Sequence, residues 1–294
     1  MTRIALALLR LLHWLPLPVF ASFGRGLGRL FHRLGRERRH VALTNLRLCF
    51  PDMPSDEREL LVKRHFEAVG RSVLERSIAW WSSAERIRRL VRIEHLERLQ
   101  ALAGRPTILL VPHFVGLDLC GTRLALEIDS VSVYSKQKNP VIDRLLYRGR
   151  TRFGDQYILS RQEGMRSVLR ALKAGRPLYY LPDMDYGPRD AIFVPFFGVP
   201  AATIPALSRM ARLADATVLP CIPRMLPGGE GYVLEIREPW SDFPGPDVEA
   251  DTRRMNAFIE AEVLKMPEQY FWLHKRFKTR PPGEKSVYQP PSMG

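Results

Sequence analysis

Thr107-Ile-Leu-Leu-Val-Pro-His113-Phe-Val-Gly-Leu-Asp118 is the stretch whose reading decides the fold. Thr107 to Val111 are aliphatic or β-branched and read as a short strand buried on both faces, and Pro112 stops it just before a histidine. His113 then sits at a strand's carboxyl end, where open α/β sheets place their ligands. On one continuous helix His113 and Asp118 would point roughly 140° apart and could not meet. A tight turn through Pro112 and Gly116, followed by a helix from near Asp118 to about Ile128, folds the carboxylate back onto the imidazole. Such a carboxylate fixes the tautomer and stabilises the imidazolium, making His113 a candidate general base and Asp118 its orienting partner. The alternative is a strand-end histidine with Asp118 as an ordinary helix N-cap.

Further apolar strands are expected at Ser130 to Ser135, Leu178 to Leu181, Thr217 to Ile222 and Tyr232 to Arg237. Helices are expected from Pro140 toward Arg152, over Ala206 to Ala214, and over Asp251 to Lys265. This alternation predicts an α/β fold, a mainly parallel sheet flanked by helices. The Leu178 strand ends in Pro182-Asp183-Met-Asp185-Tyr-Gly187, which repeats the plan of the first: apolar strand, proline, then acid groups at its carboxyl end. Asp183 and Asp185 suit a metal, the orientation of substrate or arginine, or an Asx-type turn. Orientation is preferred, because no third ligand of suitable spacing accompanies them. From Arg144 to Arg176 nine basic residues face only Asp155 and Glu163, and Arg148, Arg150 and Arg152 cluster. That run is either a solvated helix face or an anion clamp. Phe193 to Gly198 reads as an aromatic loop.

Residues 1–36 contain no acidic residue and six arginines, punctuating an apolar run from Ile4 to Phe23. The run is about long enough to cross a bilayer, but Arg10, His13, Pro16 and Pro18 interrupt it. It reads as a membrane-embedded or interfacial anchor, since arginines follow it in place of a small-residue cleavage site. Gly24, Gly26 and Gly28 follow no strand and suggest a small-residue packing face. From Val41 to Gln100 the pattern is helical, broken at Pro51 to Pro54, with Ser55-Asp-Glu-Arg-Glu59 as a helix start and Trp80-Trp81 closing the next helix. The organisation expected is an anchor over 1–36, a helical part over 37–103, an α/β core over 104–280 and a tail over 281–294.

With 294 residues, 46% of them hydrophobic, one α/β domain with attachments is the default. A formal charge of +14 implies an anionic partner: nucleic acid, an anionic membrane or a phosphorylated substrate. Cys49, Cys120 and Cys221 are scattered and support neither a disulfide framework nor a zinc site. Cys120 is an alternative nucleophile beside His113, although its apolar helical setting favours a buried thiol.

The set His113-x4-Asp118, Arg148-Gly-Arg150, Pro-Asp183-Met-Asp185-Tyr-Gly187, Pro195-Phe-Phe and Pro-Glu268-Gln-Tyr-x-Trp272-x-His274-x-Arg276-Phe-Lys-Thr-Arg280 resembles the late acyltransferases of bacterial lipid A biosynthesis. These belong to the lysophospholipid acyltransferase superfamily. The likeness begins in the anchor, includes Asn45-Leu-x-Leu-Cys-Phe-Pro51 and ends near Arg280. It departs at Asp118, where many lipid A members carry glutamate and the wider superfamily aspartate. The resemblance implies an enzyme on the cytoplasmic face of the inner membrane. It would move a fatty acyl chain from acyl carrier protein, or another thioester, to a hydroxyl of a lipid A precursor of the Kdo-lipid IVA type. The thioester is a co-substrate, and no cofactor, metal or nucleic acid is implied. His113 and Asp118 would be catalytic, and Arg148, Arg150, Arg152, Asp183, Asp185 and Arg276 would bind substrate. Backbone N–H groups after His113 would meet the oxyanion, and an acyl tunnel would involve the N-terminal helices and Phe193 to Phe197.

Three other readings compete. Related enzymes acylate a phospholipid, an ornithine lipid or another glycolipid. A metal-dependent phosphohydrolase would use His113, Asp118, Asp183 and Asp185 as ligands. A non-catalytic basic protein would bind a membrane surface or nucleic acid, with the His113 turn merely structural.

Overall fold

The computed structural model of the chain describes residues 2–160 and 163–289, so Arg161 of the basic run and residues 290–294 of the expected tail lie outside it. Thr107–Leu110 forms β2, the centre of a seven-stranded sheet among the described residues. The other strands are β1 (Val91–Glu94), β3 (Val131–Tyr134), β4 (Tyr157–Ser160), β5 (Leu178–Tyr180), β8 (Thr217–Met225) and β9 (Tyr232–Ile236), in the order β1-β9-β8-β2-β5-β3-β4. All neighbours run parallel except β8 and β9. β2 is buried throughout and apolar from Ile108 to Leu110 because both its faces are covered. Ile108 and Leu110 enter one core with α9 (Gly164–Lys173), α10 (Ala206–Ala214) and α11 (Val248–Lys265). Leu109 and Val111 enter the other with α7 (Leu117–Leu124) and parts of α2 (Leu17–Leu34) and α4 (Ser55–Trp81). The α/β fold with a mainly parallel, helix-flanked sheet is therefore as expected.

Several elements differ from the expectation. The helical stretch over 41–100 contains β1, whose apolar–charged alternation is embedded in a helical pattern, between α5 (Ala84–Leu90) and α6 (Leu96–Gln100). β4 and α9 lie within the basic run. The aromatic loop is an antiparallel hairpin of β6 (Ile192–Phe196) and β7 (Val199–Thr203), with Pro195 opposite Pro200. Two prolines argue against strands in a sequence, but a two-stranded ribbon is all edge and tolerates them. Its turn, Phe197-Gly198, has positive φ at both residues, as a two-residue hairpin turn requires. The Phe197 ring rests on Phe50, at the end of α3 (Arg36–Cys49), with centroids 4.9 Å apart.

No described helix is long and apolar enough to cross a membrane. α1 (Thr2–Leu12) and α2 are separated near the interrupting prolines. One face of α2 buries Leu17, Phe20, Ala21, Gly24 and Gly28. Its other face leaves Val19, Phe23, Leu30 and Leu34 exposed, with Leu11 and Trp14 exposed just before it. Gly24 and Gly28 do form a packing face, whereas Gly26 lies off it, with nothing within 4 Å of a Cβ placed there. A Cβ on Gly70 of α4 would lie 2.3 Å from Gly24 O and 2.4 Å from Gly28 N, so the two backbones touch where side chains are absent.

Candidate active site at the carboxyl ends of β2 and β5

β2 and β5 are parallel neighbours with Leu110 opposite Tyr180. One apolar residue and a proline follow each strand, so His113 and Asp183 emerge at the same level, side by side. Asp183 Oδ1 lies 2.6 Å from His113 Nδ1, and Asp183 Oδ2 accepts the His113 backbone N–H at 2.9 Å. An ionised carboxylate only accepts, so Nδ1 carries the proton and Nε2 keeps its lone pair. The Asp183 side chain is fully buried, whereas that of His113 is 16% exposed. Burial alone disfavours the Asp183 anion. Electrostatic attraction to His113, the two hydrogen bonds from it and Arg276 outweigh burial and hold the carboxyl below the ordinary range.

Asp118, the partner expected from spacing, does not take this place. The chain turns into α7 as anticipated, but Asp118 meets Arg76 of α4 at 2.6 Å while Nδ1 is held by Asp183. Burial opposes its ionisation as well, and Arg76, Arg150 and His113 together keep its carboxyl below the usual value. His113, Asp118, Arg76 and Arg150 all line one cavity of about 470 Å³. Its apolar wall includes Trp80, Leu124, Leu146, Ile158, Val168 and Met210. The Phe196 and Phe197 rings, expected there, pack instead against Tyr270 and Phe50.

The other expected substrate residues divide sharply. Arg150 lines the cavity and Arg148, two residues before it on α8 (Pro140–Arg150), is exposed. Gly149 between them is required by close approach, since its Cβ would come 2.5 Å from the Trp80 ring. Arg152 is turned away, donating to the carbonyls of Ala79 and Ser82 at the end of α4. Arg276 is 2% exposed and donates to Ala202 O and Thr203 Oγ1, both at 2.9 Å, so it stands behind Asp183 as a fixed charge and does not reach a substrate. Asp185 is also a brace. Its oxygens accept from the Gly187 N–H, the Thr279 N–H and the Thr279 hydroxyl, and its own N–H donates to His274 Nε2 at 2.7 Å. Asp118, Asp183 and Asp185 thus serve three separate partners and do not combine with His113 into one ligand set. Cys120 is buried with its thiol pushed far up by desolvation, which removes it as a nucleophile.

The segment 267–279 after α11 is a strap behind the catalytic turn. Gln269 O accepts the Val115 N–H at 2.9 Å, and the Phe271 N–H donates to His113 O at 3.0 Å. The Gln269 side chain clasps both the N–H and the carbonyl of Met225, and His65 Nδ1 meets Glu268 O at 2.9 Å. His274 is pushed down to about 4, by burial first and then by Arg276 and His113, so it stays neutral and can accept from Asp185. Sequence reasoning missed Arg76, one of four arginines on the long helix α4 with no signal of its own, and it read Trp80 only as part of a pair closing a helix. The Asp183 pairing did have a signal: the equal offset from strand through proline to polar residue in both segments.

The sequence profile of the family described as bacterial lipid A biosynthesis acyltransferase matches residues 1–279. Among curated proteins, the chain is 38% identical to a lipid A biosynthesis lauroyltransferase of Escherichia coli (strain K12), over 98% of this chain and 94% of that protein. It is 35% identical to a lipid A biosynthesis acyltransferase of Haemophilus influenzae, over 95% and 90%. It is 33% identical to a lipid A biosynthesis myristoyltransferase of E. coli, over 92% and 84%.

Proposed function

This chain belongs to the bacterial lipid A biosynthesis acyltransferase family and is an acyltransferase, and we propose that it moves a fatty acyl chain from acyl carrier protein to a hydroxyl of a lipid A precursor of the Kdo-lipid IVA type. The observation that carries this reading is the histidine lining a largely apolar cavity, its Nδ1 tied to a buried carboxylate and its Nε2 left as a base.

Nε2 of His113 takes the proton of the acceptor hydroxyl as that oxygen attacks the thioester carbonyl. Asp183 holds the tautomer and balances the imidazolium, and Asp118 adds a second negative charge near it. The negative charge on the carbonyl oxygen is met by N–H groups of the first turn of α7, where Leu117 already donates to Phe114 O and those of Asp118 and Leu119 remain. The carbon–sulfur bond then breaks, and the imidazolium returns its proton to the departing thiolate. The reaction so written passes through no acyl-enzyme and uses no metal or prosthetic group. The cavity takes hydrocarbon, Arg150 and Arg148 bind acidic groups of the acceptor, and the overall charge of +14 attracts an acidic carrier protein.

The protein acts at the cytoplasmic face of the inner membrane. Supporting this, α2 sets an exposed apolar row, including Phe23 and Leu34, beside Arg25, Arg29 and Arg33, the composition of a helix lying in the interface.

The test is mass spectrometry of lipid A and phospholipids from cells with and without the protein, complemented by wild type or His113→Ala. Loss of one secondary acyl chain from lipid A, restored by wild type alone, establishes reaction and acceptor together. An unchanged lipid A with an altered phospholipid or aminolipid profile moves the acceptor. Full restoration by His113→Ala removes His113 from the mechanism.

A further inference from the structure

The strap that backs His113 is itself held from outside by one buried asparagine and one tyrosine. Asn45 of α3, 1% exposed, donates through Nδ2 to Trp272 O and His274 O, both at 2.8 Å. Its Oδ1 accepts the hydroxyl of Tyr288, and the Tyr288 oxygen in turn accepts the Phe277 N–H at 3.0 Å. Every polar atom of the asparagine side chain is therefore engaged, and three backbone groups of the strap depend on these two residues. Tyr288 reaches this point because the chain beyond Arg280 turns back, with Val287 packing on the core and Tyr288 left 8% exposed.

The strap touches His113 directly and the turn that carries Asp183 through Asp185. Phe271 N–H bonds His113 O, and the His274 ring and Thr279 hold Asp185, two residues beyond Asp183. Asn45 grips the strap at 272 and 274 and Tyr288 at 277, between those two attachments. Resting on the assignment of His113 as base, we infer that Tyr288 and Asn45 are positioning residues, a brace that sets the spacing of His113 and Asp183 from the far side of the strap. The segment 281–289 is then part of the catalytic apparatus, although no atom of it lines the cavity.

Removing the Tyr288 hydroxyl leaves Asn45 Oδ1 and the Phe277 N–H buried without partners, and the strap relaxes. A displacement of about 1 Å at a reacting group costs up to about a hundredfold in rate. The experiment uses the purified full chain with an acyl-carrier-protein thioester and a Kdo-lipid IVA acceptor. It compares wild type, Tyr288→Phe and His113→Ala in kcat, KM, thermal midpoint and the pH profile of kcat. The expected result for Tyr288→Phe is folded protein, a kcat lower by about 10- to 100-fold, KM for both substrates within about twofold, and a displaced acidic limb of the pH profile. A wild-type kcat, or a fall matched by lost folded protein with the pH profile unmoved, overturns the inference. Should Tyr288→Phe not fold, a chain ending at residue 283 lets water replace the phenol and is read the same way. If neither variant folds, the phenol is a folding determinant and the inference fails. Near-wild-type activity of His113→Ala sinks the general-base reading instead, which separates the two failures.

Discussion

Asp183 grips His113 twice, with one carboxylate oxygen 2.6 Å from the imidazole Nδ1 and the other 2.9 Å from the same residue's backbone nitrogen. The double contact fixes both the backbone turn and the ring, so the remaining nitrogen has one direction. Asp118 shares the cavity but pairs with Arg76, 2.6 Å away, and acts on the ring only through space.

The two carboxylates should therefore separate on mutation. Asp183→Asn can donate to Nδ1 and so select the wrong tautomer, and kcat should fall roughly 10³- to 10⁴-fold with substrate KM little changed. Asp118→Asn removes charge and leaves the ring in place, for a loss nearer tenfold, about 1.4 kcal/mol of transition-state stabilisation. Steady-state kinetics of the two purified variants decides. An Asp118→Asn loss equal to or above that of Asp183→Asn would restore the H-x4-D pair as the working one.

How much of this was legible beforehand depended on the range of the interaction. β2, β5, β8 and β9 are readable as largely apolar runs and β3 as a β-branched alternation, and α10 matches its expected bounds because its apolar stripe is local. β1 escaped notice because its four residues alternate apolar and charged within a helical pattern, and the hairpin because Pro195 and Pro200 mask its strands. At the site, His113 and the strap motif stood out, whereas the roles of Asp118, Asp185 and Arg276 did not. A carboxylate at the right spacing cannot reveal that an arginine 42 positions earlier, Arg76, will claim it. Nor can a motif arginine announce that it is buried behind the carboxylate and not in front of it.

The crossing of α2 and α4 yields a stability prediction with an internal control. A Cβ at Gly70 falls 2.3 Å from Gly24 O, which is backbone and has no rotamer to move, so Gly70→Ala should cost about 1–3 kcal/mol by forcing the helices apart. Gly26 lies on the same helix as Gly24 with nothing within 4 Å of its virtual Cβ. Gly26→Ala should be neutral or stabilising by up to about 1 kcal/mol, from helix propensity alone. Urea titrations of both variants test the pair, and a Gly26→Ala loss as large as that of Gly70→Ala would refute the packing account.

Acid sensitivity follows from two neutral histidines. His65 and His274 are both pushed from an ordinary 6.5 down to about 4, chiefly by burial. Below pH 6.5 the unfolded chain takes up protons at these sites that the folded chain refuses. Their share of stability is thus fully present above pH 6.5 and is lost as pH falls toward about 4, where it levels off. The loss is roughly 3 kcal/mol per histidine over that window. His65→Gln should flatten the decline of the thermal midpoint between those limits, and an unchanged slope would show that His65 titrates normally.

The exposed row on the N-terminal helices predicts how the protein meets a bilayer. Trp14 is 73% and Phe23 60% exposed, and both precede Arg25, Arg29 and Arg33 on α2, of which the last two are exposed. Burial of each ring among acyl chains is worth about 1.5 kcal/mol or more, and each arginine near an anionic headgroup about 1 kcal/mol. Trp14→Ser with Phe23→Ser should therefore weaken sedimentation with phosphatidylglycerol-containing vesicles by about a hundredfold, while activity on detergent-dispersed substrate stays near wild type. The apolar part is insensitive to salt and the arginine part is screened, so raised ionic strength should weaken wild type only partway. Vesicle binding that disappears entirely in salt, or that ignores the double substitution, would assign the attraction to charge elsewhere on the protein and leave the exposed row without a membrane role.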